Sequence, residues 1–304
     1  MNQSVGALNA RAFVRRWQMD DAVFTYVVDG IMAMLPQAFL PAIPRSYWVD
    51  HTAELDANGR VLMSTGGLLV ERAGHRLLID AGFGRAAAHY PVGFVESGAF
   101  LRCLRDVGVN PADIDVFALT HLHVDHTGWM FTKSSNGVFA PTFPKASYVL
   151  AEAEWRPHAD GQRTAETPDE RSVIEPLGRH RQRCVVSDGG EIAPGSTALV
   201  TPGHSAGHAS YVVTSSHGRR LIAFGDAFHV PAQLAHPRWG SAADEMPSAV
   251  PRARARLLDE LLAPDTYGFA IHFGDQPFGR VVRDAAGVPR WQPVPTEVLA
   301  PPPC

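Results

Sequence analysis

The chain has 304 residues, 45% of them apolar, enough for one large layered domain with a sizeable core. Its net charge of −4 is spread with both signs throughout, so it carries no basic footprint for nucleic acid or for an anionic membrane. No apolar stretch approaches the ~18 residues of a membrane span. No apolar run of signal-peptide type follows Arg11, Arg15 and Arg16. Cys103, Cys184 and Cys304 are odd in number and show no paired spacing, which suits a reducing compartment and leads us to expect a cytoplasmic protein. Cys103 falls in a helix-like pattern and Cys184 in a strand-like one, so both are expected as core thiols.

In chain order, residues 1–50 read as an N-terminal arm or flap. Phe24 to Gly30 is a strand ending in a turn at Asp29-Gly30, and Pro36, Pro41 and Pro44 break any helix beyond it. The arm serves either to line a pocket or to make a homodimer contact. Val61–Glu71 and His75–Asp80 form a hairpin pattern, and Gly66-Gly67 inside its first strand marks a bulge or a close backbone approach. Asp80, just past the second strand, is either a turn residue or a carboxylate that orients a metal-bound histidine. Residues 97–109 carry a helical pattern. Residues 152–182, charged and broken by three prolines, read as an insertion over the site or a solvated face, and 293–304 as a Pro-rich tail. The whole chain is expected to form a single domain, 1–304.

The apolar run Val116 to Thr120 ends in His121-Leu122-His123-Val124-Asp125-His126. His121 and His123 are two apart, so an extended backbone points them the same way. Three imidazoles and a carboxylate within six residues form a donor set for a borderline metal such as zinc. Buried without a metal, each would need its own hydrogen-bond partner. The second half repeats the theme of a strand followed by His or Asp. Thr197–Val200 precedes His204, Arg220–Phe224 ends at Asp226, and Phe269–Ile271 ends at His272. His208, four residues after His204, is expected to make a structural hydrogen bond within the turn.

The order Asp80, His121-x-His123-x-Asp125-His126, His204, Asp226, His272 resembles the metallo-β-lactamase superfamily over roughly residues 60–285. The resemblance implies an α+β fold, an αββα four-layer sandwich of two mixed β-sheets flanked by helices. It also implies two divalent metal ions, with zinc preferred and manganese, iron or cobalt also suited. His121, His123 and His204 would hold the first metal, Asp125, His126 and His272 the second, and Asp226 would bridge them. Asp80 would hydrogen-bond a ligand. Within the superfamily the chain looks most like the lactonases and methyl-parathion-hydrolase-like esterases, through Pro41-Ala42-Ile43-Pro44, Gly225-Asp226-Ala227-Phe228-His229 and Ala270-Ile271-His272-Phe273. The homoserine-lactone lactonases carry a Tyr three residues after the bridging Asp, where this chain has His229.

The implied activity is hydrolysis of a small-molecule lactone or carboxylic ester by a hydroxide shared between the two metals. The alternatives are a phosphotriester or a thioester as substrate. Asp226 and His229 are the candidate proton carriers in catalysis, since an imidazole donates a hydrogen bond or a proton near neutral pH. Trp129, Met130, Phe131 and Phe228, apolar and next to the metal motifs, are expected to wall the substrate pocket.

Overall fold

The computed structural model describes residues 3–164 and 167–300. Two mixed sheets dominate. The larger runs in the order Gln3–Ser4, Thr296–Ala300, Val14–Met19, Ala22–Met34, Val61–Arg72, His75–Ile79, Val116–Ala118, Ser147–Ala151, Arg183–Val186. A hairpin, Ala86–Tyr90 and Gly93–Ser97, joins it by pairing with the far half of Ala22–Met34. The second sheet runs Glu191–Ala193, Ser196–Val200, Ala209–Thr214, Arg220–Ala223, Thr266–Phe269, Phe278–Arg283, Pro289–Pro293. Parallel pairs lie at the centre of the second sheet and run to the Arg183–Val186 edge of the larger one, and they include strands that precede the site.

Strand alternation builds the layers. Tyr211, Val213, Leu221 and Ala223 turn inward and share one core with Phe24, Tyr26 and Leu68 of the facing sheet. Their neighbours Val212 and Ile222 turn outward, under Leu257, Leu258 and Leu261 of the helix Val250–Leu261. The helix Phe100–Asp106 covers the other sheet with Phe100, Cys103 and Leu104. Two buried phenols stitch the sheets together: Tyr26 donates to the Ile271 carbonyl and Tyr211 to that of Leu119. The result is the αββα sandwich that the resemblance implied.

Several expectations are corrected here. Residues 14–34 are not an arm but two strands of the larger sheet, and no turn falls at Asp29-Gly30. Ala22–Met34 is a single strand with a register shift between Val28 and Gly30. Gly30 is required at that point, because a Cβ would stand 2.1 Å from the Glu96 carbonyl oxygen of the paired hairpin. The Asp29 carboxylate accepts from the backbone of Phe83, Gly84, Gly98 and Phe100 and from Trp129 Nε1, so one buried side chain ties four segments together. The segment expected as a Pro-rich tail carries Thr296–Ala300, which pairs with Val14–Met19, because alternating Thr296, Val298 and Ala300 still suit a strand once the prolines are passed. Cys103 is buried as expected, but Cys184 is exposed on the edge strand Arg183–Val186. Cys304 lies outside the described residues. At Gly66 and Gly67 a Cβ would meet the Val27 and Asp80 carbonyl oxygens at 2.2 and 2.1 Å, so the glycine pair marks a close approach.

Candidate metal centre

Every residue of the histidine and aspartate series lies just past the C-terminal end of a strand, on one edge of the sandwich. His121 and His123 follow Val116–Ala118, and Asp125 and His126 lie in the single turn Val124–Thr127. His204 follows Ser196–Val200, Asp226 follows Arg220–Ala223, and His272 follows Thr266–Phe269. The ligand atoms of His121, His123 and His204 fall within 4.8 Å of one another, and so do those of Asp125, His126, Asp226 and His272. Asp226 Oδ1 lies 3.0 Å from His126 Nε2 and 2.9 Å from His272 Nε2. Its Oδ2 lies 3.4 Å from His204 Nε2 and 3.2 Å from His229 Nε2. One carboxylate therefore presents an oxygen to each cluster.

The outward nitrogens are held by the protein, and this sets the inward ones. His126 Nδ1 meets Asp80 Oδ2 at 2.9 Å, while the Asp80 carboxylate also accepts from Thr120 N and Oγ1. Because the Thr120 hydroxyl donates to Asp80, it can accept from His121 Nδ1 at 3.0 Å. His272 Nδ1 lies 2.9 Å from the Ser64 carbonyl oxygen, and His204 Nδ1 lies 2.9 Å from Asp244 Oδ1. Each ring thus keeps its proton on Nδ1 and turns the Nε2 lone pair inward. His121 Nε2, His126 Nε2, His272 Nε2 and Asp226 Oδ1 are buried without a hydrogen-bond partner. Orphaned acceptors converging in this way are costly unless a cation completes them. The residues fit two divalent ions, one per cluster.

Electrostatics divide the rings: burial favours neutral His121 and His204, whereas at His123, His126 and His272 nearby carboxylates outweigh burial and raise the pKa. Burial together with neighbouring imidazoles holds His121 well below its ordinary pKa, and burial brings His204 down to about 4. Both are therefore neutral, as ligands must be. Burial works against the imidazolium at His126 too, but the carboxylates of Asp125, Asp226 and Asp80 outweigh it and raise that pKa well above the ordinary value. Desolvation opposes ionisation of Asp226, yet His272, His126 and His229 hold it well below the carboxylate range.

Asp80 sits at φ 61°, a left-handed conformation that costs an Asp roughly 1 kcal/mol and is held because its carboxylate serves both Thr120 and His126. His208 is buried and bridges Thr201 Oγ1 to the backbone N–H of Asp226, at 2.9 and 3.1 Å. His229 is buried in a third group with His204 and Asp226, and neither of its ring nitrogens has a hydrogen-bond partner.

The expected pocket walls are corrected. Trp129 is buried with Nε1 on Asp29, Met130 and Phe131 belong to the main core, and Phe228 is fully buried beside Phe224 under Arg254. None of the four lines the cavity at the metal ligands. That cavity, about 430 Å³, is walled by Met32, Met34, Phe39, Phe83, Val92 and Val95 and opens onto His123, Asp125 and Asp226. The polypeptide just past each ligand turns back into the core, so neighbours in sequence are not neighbours in the pocket.

Sequence reasoning also missed three carboxylates. Asp244 orients His204, and Glu245 stands 3.7 Å from His123 Nε2. Glu154, in the stretch read as an insertion, accepts from Leu122 N, Ser205 Oγ and Gly207 N. Its place directly after the apolar strand Ser147–Ala151 is the one local signal that could have drawn notice.

Comparison with known proteins follows the same outline. The chain is 28% identical over 128 residues to an N-acyl homoserine lactonase of Bacillus thuringiensis, covering 42% of this chain and 44% of that one. It is 26% identical over 168 residues to an N-acyl homoserine lactonase of Bacillus cereus, covering 51% and 60%. The match thus spans less than two thirds of these curated relatives. Among solved structures, a dizinc quorum-quenching lactonase, AidC, in complex with a product superposes with TM-score 0.78 at 20% identity, over 94% of this chain and 99% of that one. The hydrolase AbOPH superposes with TM-score 0.76 at 22% identity, over 93% and 98%. The model of the metallo-β-lactamase superfamily matches residues 64–267, from the strand that carries Ser64 through the histidine cluster, His204 and Asp226, and the chain is a member of that superfamily.

Proposed function

We propose that the chain is a dinuclear metal-dependent hydrolase of lactones or carboxylic esters with an apolar acyl group, N-acyl homoserine lactones among them. The observation that carries this reading is the apolar cavity opening onto both ligand clusters through His123, Asp125 and Asp226. Its methionine and valine walls suit a flexible hydrocarbon chain and leave the reacting carbonyl among the polar groups. Among the described residues no Lys or Arg lines it, so a thioester on an anionic carrier would find no cationic grip. Phe39, Phe83 and Tyr90 line the same cavity and could stack an aryl leaving group, so an aryl phosphotriester is the second reading.

His121, His123 and His204 would hold one ion, Asp125, His126 and His272 the other, with Asp226 between them. Zinc fits a set of neutral imidazoles and carboxylates. When bound, two such ions supply Lewis acidity and a water that ionises near neutral pH. The protein's own groups do the rest. The cavity walls exclude bulk water and fix the acyl chain. Asp226 presents one oxygen to each half of the centre. His229, 3.2 Å from Asp226 Oδ2 and with both ring nitrogens unpartnered, would donate a hydrogen bond or a proton to the departing alkoxide.

The test is hydrolysis by the metal-loaded protein on a panel of acyl lactones, alkyl and aryl carboxylic esters and one aryl phosphotriester. Lactone or ester turnover is expected, abolished in Asp226→Asn and lowered roughly 10²-fold in His229→Ala with metal content unchanged. Turnover of the phosphotriester alone, or of nothing on the panel with two metals bound, would overturn the proposal.

A further inference from the structure

The base of the hairpin Ala86–Tyr90/Gly93–Ser97 borders a second cavity of about 630 Å³ that shares no residue with the one at the metal ligands. Four arginines line it: Arg11, Arg85, Arg102 and Arg105. Arg102 and Arg105 are three apart on the helix Phe100–Asp106, so they stand on the same side, opposite the buried Cys103 and Leu104. Arg85 reaches over the Trp129 ring at 5.9 Å.

The cavity also holds two carboxylates, and both are engaged. Glu96 pairs with Arg11. Asp29 is spent on five donors. Arg85, Arg102 and Arg105 have no carboxylate partner among the described residues, whereas Arg72, Arg219, Arg220 and Arg256 each have one. Three solvated arginines scattered over a convex surface would be unremarked. Here three uncompensated guanidiniums crowd one concavity of a chain whose net charge is −4, and their mutual repulsion is relieved by an anion.

The count and the geometry narrow the anion. Each guanidinium offers a planar fork to an oxyanion. A monocarboxylate satisfies one fork. A phosphate monoester carries close to two charges and three acceptor oxygens at neutral pH, enough for all three. The volume lies within the range of small-molecule sites, so it accommodates an organic group beside the phosphate. We propose that this cleft binds a phosphate-bearing small molecule, held by Arg85, Arg102 and Arg105, at a site separate from the metal centre.

The test is calorimetric titration of the metal-loaded protein with ribose 5-phosphate, an organic phosphate small enough for the cleft. One saturable site per chain is expected, with Kd in the millimolar range or tighter. Affinity should fall at least tenfold in the double variant Arg102→Gln/Arg105→Gln and stay unchanged in Asp226→Asn, which alters the metal centre alone. Both arginine side chains are exposed, so a melting curve like that of the parent is expected. Should the double variant prove unfolded, Arg85→Gln takes its place. Absence of saturable binding, binding that survives loss of the arginines, or binding lost in Asp226→Asn would overturn the proposal. The site does not depend on the hydrolase reading, so either can fail without the other.

Discussion

Replacing Glu154 by Ala tests whether the metal centre is clamped from outside its own ligands. Glu154 is 3% exposed, and its two oxygens accept from Leu122 N at 2.8 Å, Ser205 Oγ at 2.7 Å and Gly207 N at 2.9 Å. Leu122 lies between His121 and His123, while Ser205 and Gly207 follow His204, so one carboxylate ties together the two loops that supply the three-histidine cluster. Each buried donor left without an acceptor costs ~1–3 kcal/mol. Burial pushes the Glu154 carboxyl pKa up, so part of this is returned when the desolvated group is removed, and the Ser205 hydroxyl can turn to another acceptor. The net loss is about 3 kcal/mol, or roughly 5 °C in melting temperature for a chain of this size. The two loops loosen together, so affinity at the first metal position should fall ~10–100-fold. Glu154→Gln keeps the shape but turns an NH₂ toward one of the three donors, and should fall between the two. Thermal unfolding and competition with a chromophoric chelator read both effects. Melting within about 1 °C of the parent, with unchanged metal affinity, would refute the clamp, since no buried acceptor of three donors is lost that cheaply.

Asp244→Asn should leave the fold intact but lower metal affinity at the His204 position ~10–100-fold in the same chelator competition, because an amide no longer favours the Nδ1–H tautomer. Met34→Trp should fill part of the cavity and raise KM for long acyl chains while short-chain substrates keep theirs, read as a chain-length series. The Arg219 guanidinium and the Ser215 hydroxyl hold Asp20 down at about 2, against an ordinary 3.8. A lowered carboxylate pKa contributes stability that is complete above ~4 and is lost as pH falls through about 2, so Asp20→Asn should flatten the acid limb of the stability profile over that window. An unaltered limb would remove Asp20 from the account.

The metal ligands were legible because each rests on a local rule. An apolar strand that stops at a His or Asp places that group at a sheet edge, and five such stops in order are hard to produce by chance. Thr120 and the doublet at Asp244 and Glu245 show where that reasoning thins out, whereas Asp80 was read with the ligands because it ends a strand of the same series. Asp244 was not, because it sits in a segment with no periodicity and acts only through contact with His204, forty residues away in sequence.

The cavity wall was hidden for a different reason, and the strand Ala22–Met34 shows it. Across the pair with Val61–Arg72, Tyr26 stands opposite Leu68 and Ile31 opposite Ser64. Leu68 belongs to the core between the sheets, and Ser64 bonds the Ile271 and Gly274 carbonyls of the facing sheet, so the even-numbered partners face inward along that strand. On Ala22–Met34, therefore, the inward set changes from Tyr26 and Val28 to Ile31 and Ala33 at the register shift beside Asp29. A one-residue bulge reverses the sidedness of everything beyond it. Met32 and Met34 are sent to the opposite side, where they meet Phe39 and Val95 and wall the cavity. In the sequence the bulge is only Asp29-Gly30, a pair that reads equally as a turn. Taken as a turn, it ends the strand and leaves the methionines in an arm. Taken as a bulge, it extends the strand past the core, and the alternation Ile31, Met32, Ala33, Met34 then assigns the pocket. What separates the two readings is not local: Gly30 must admit the Glu96 backbone, and the Asp29 carboxylate must find five donors contributed by three distant segments.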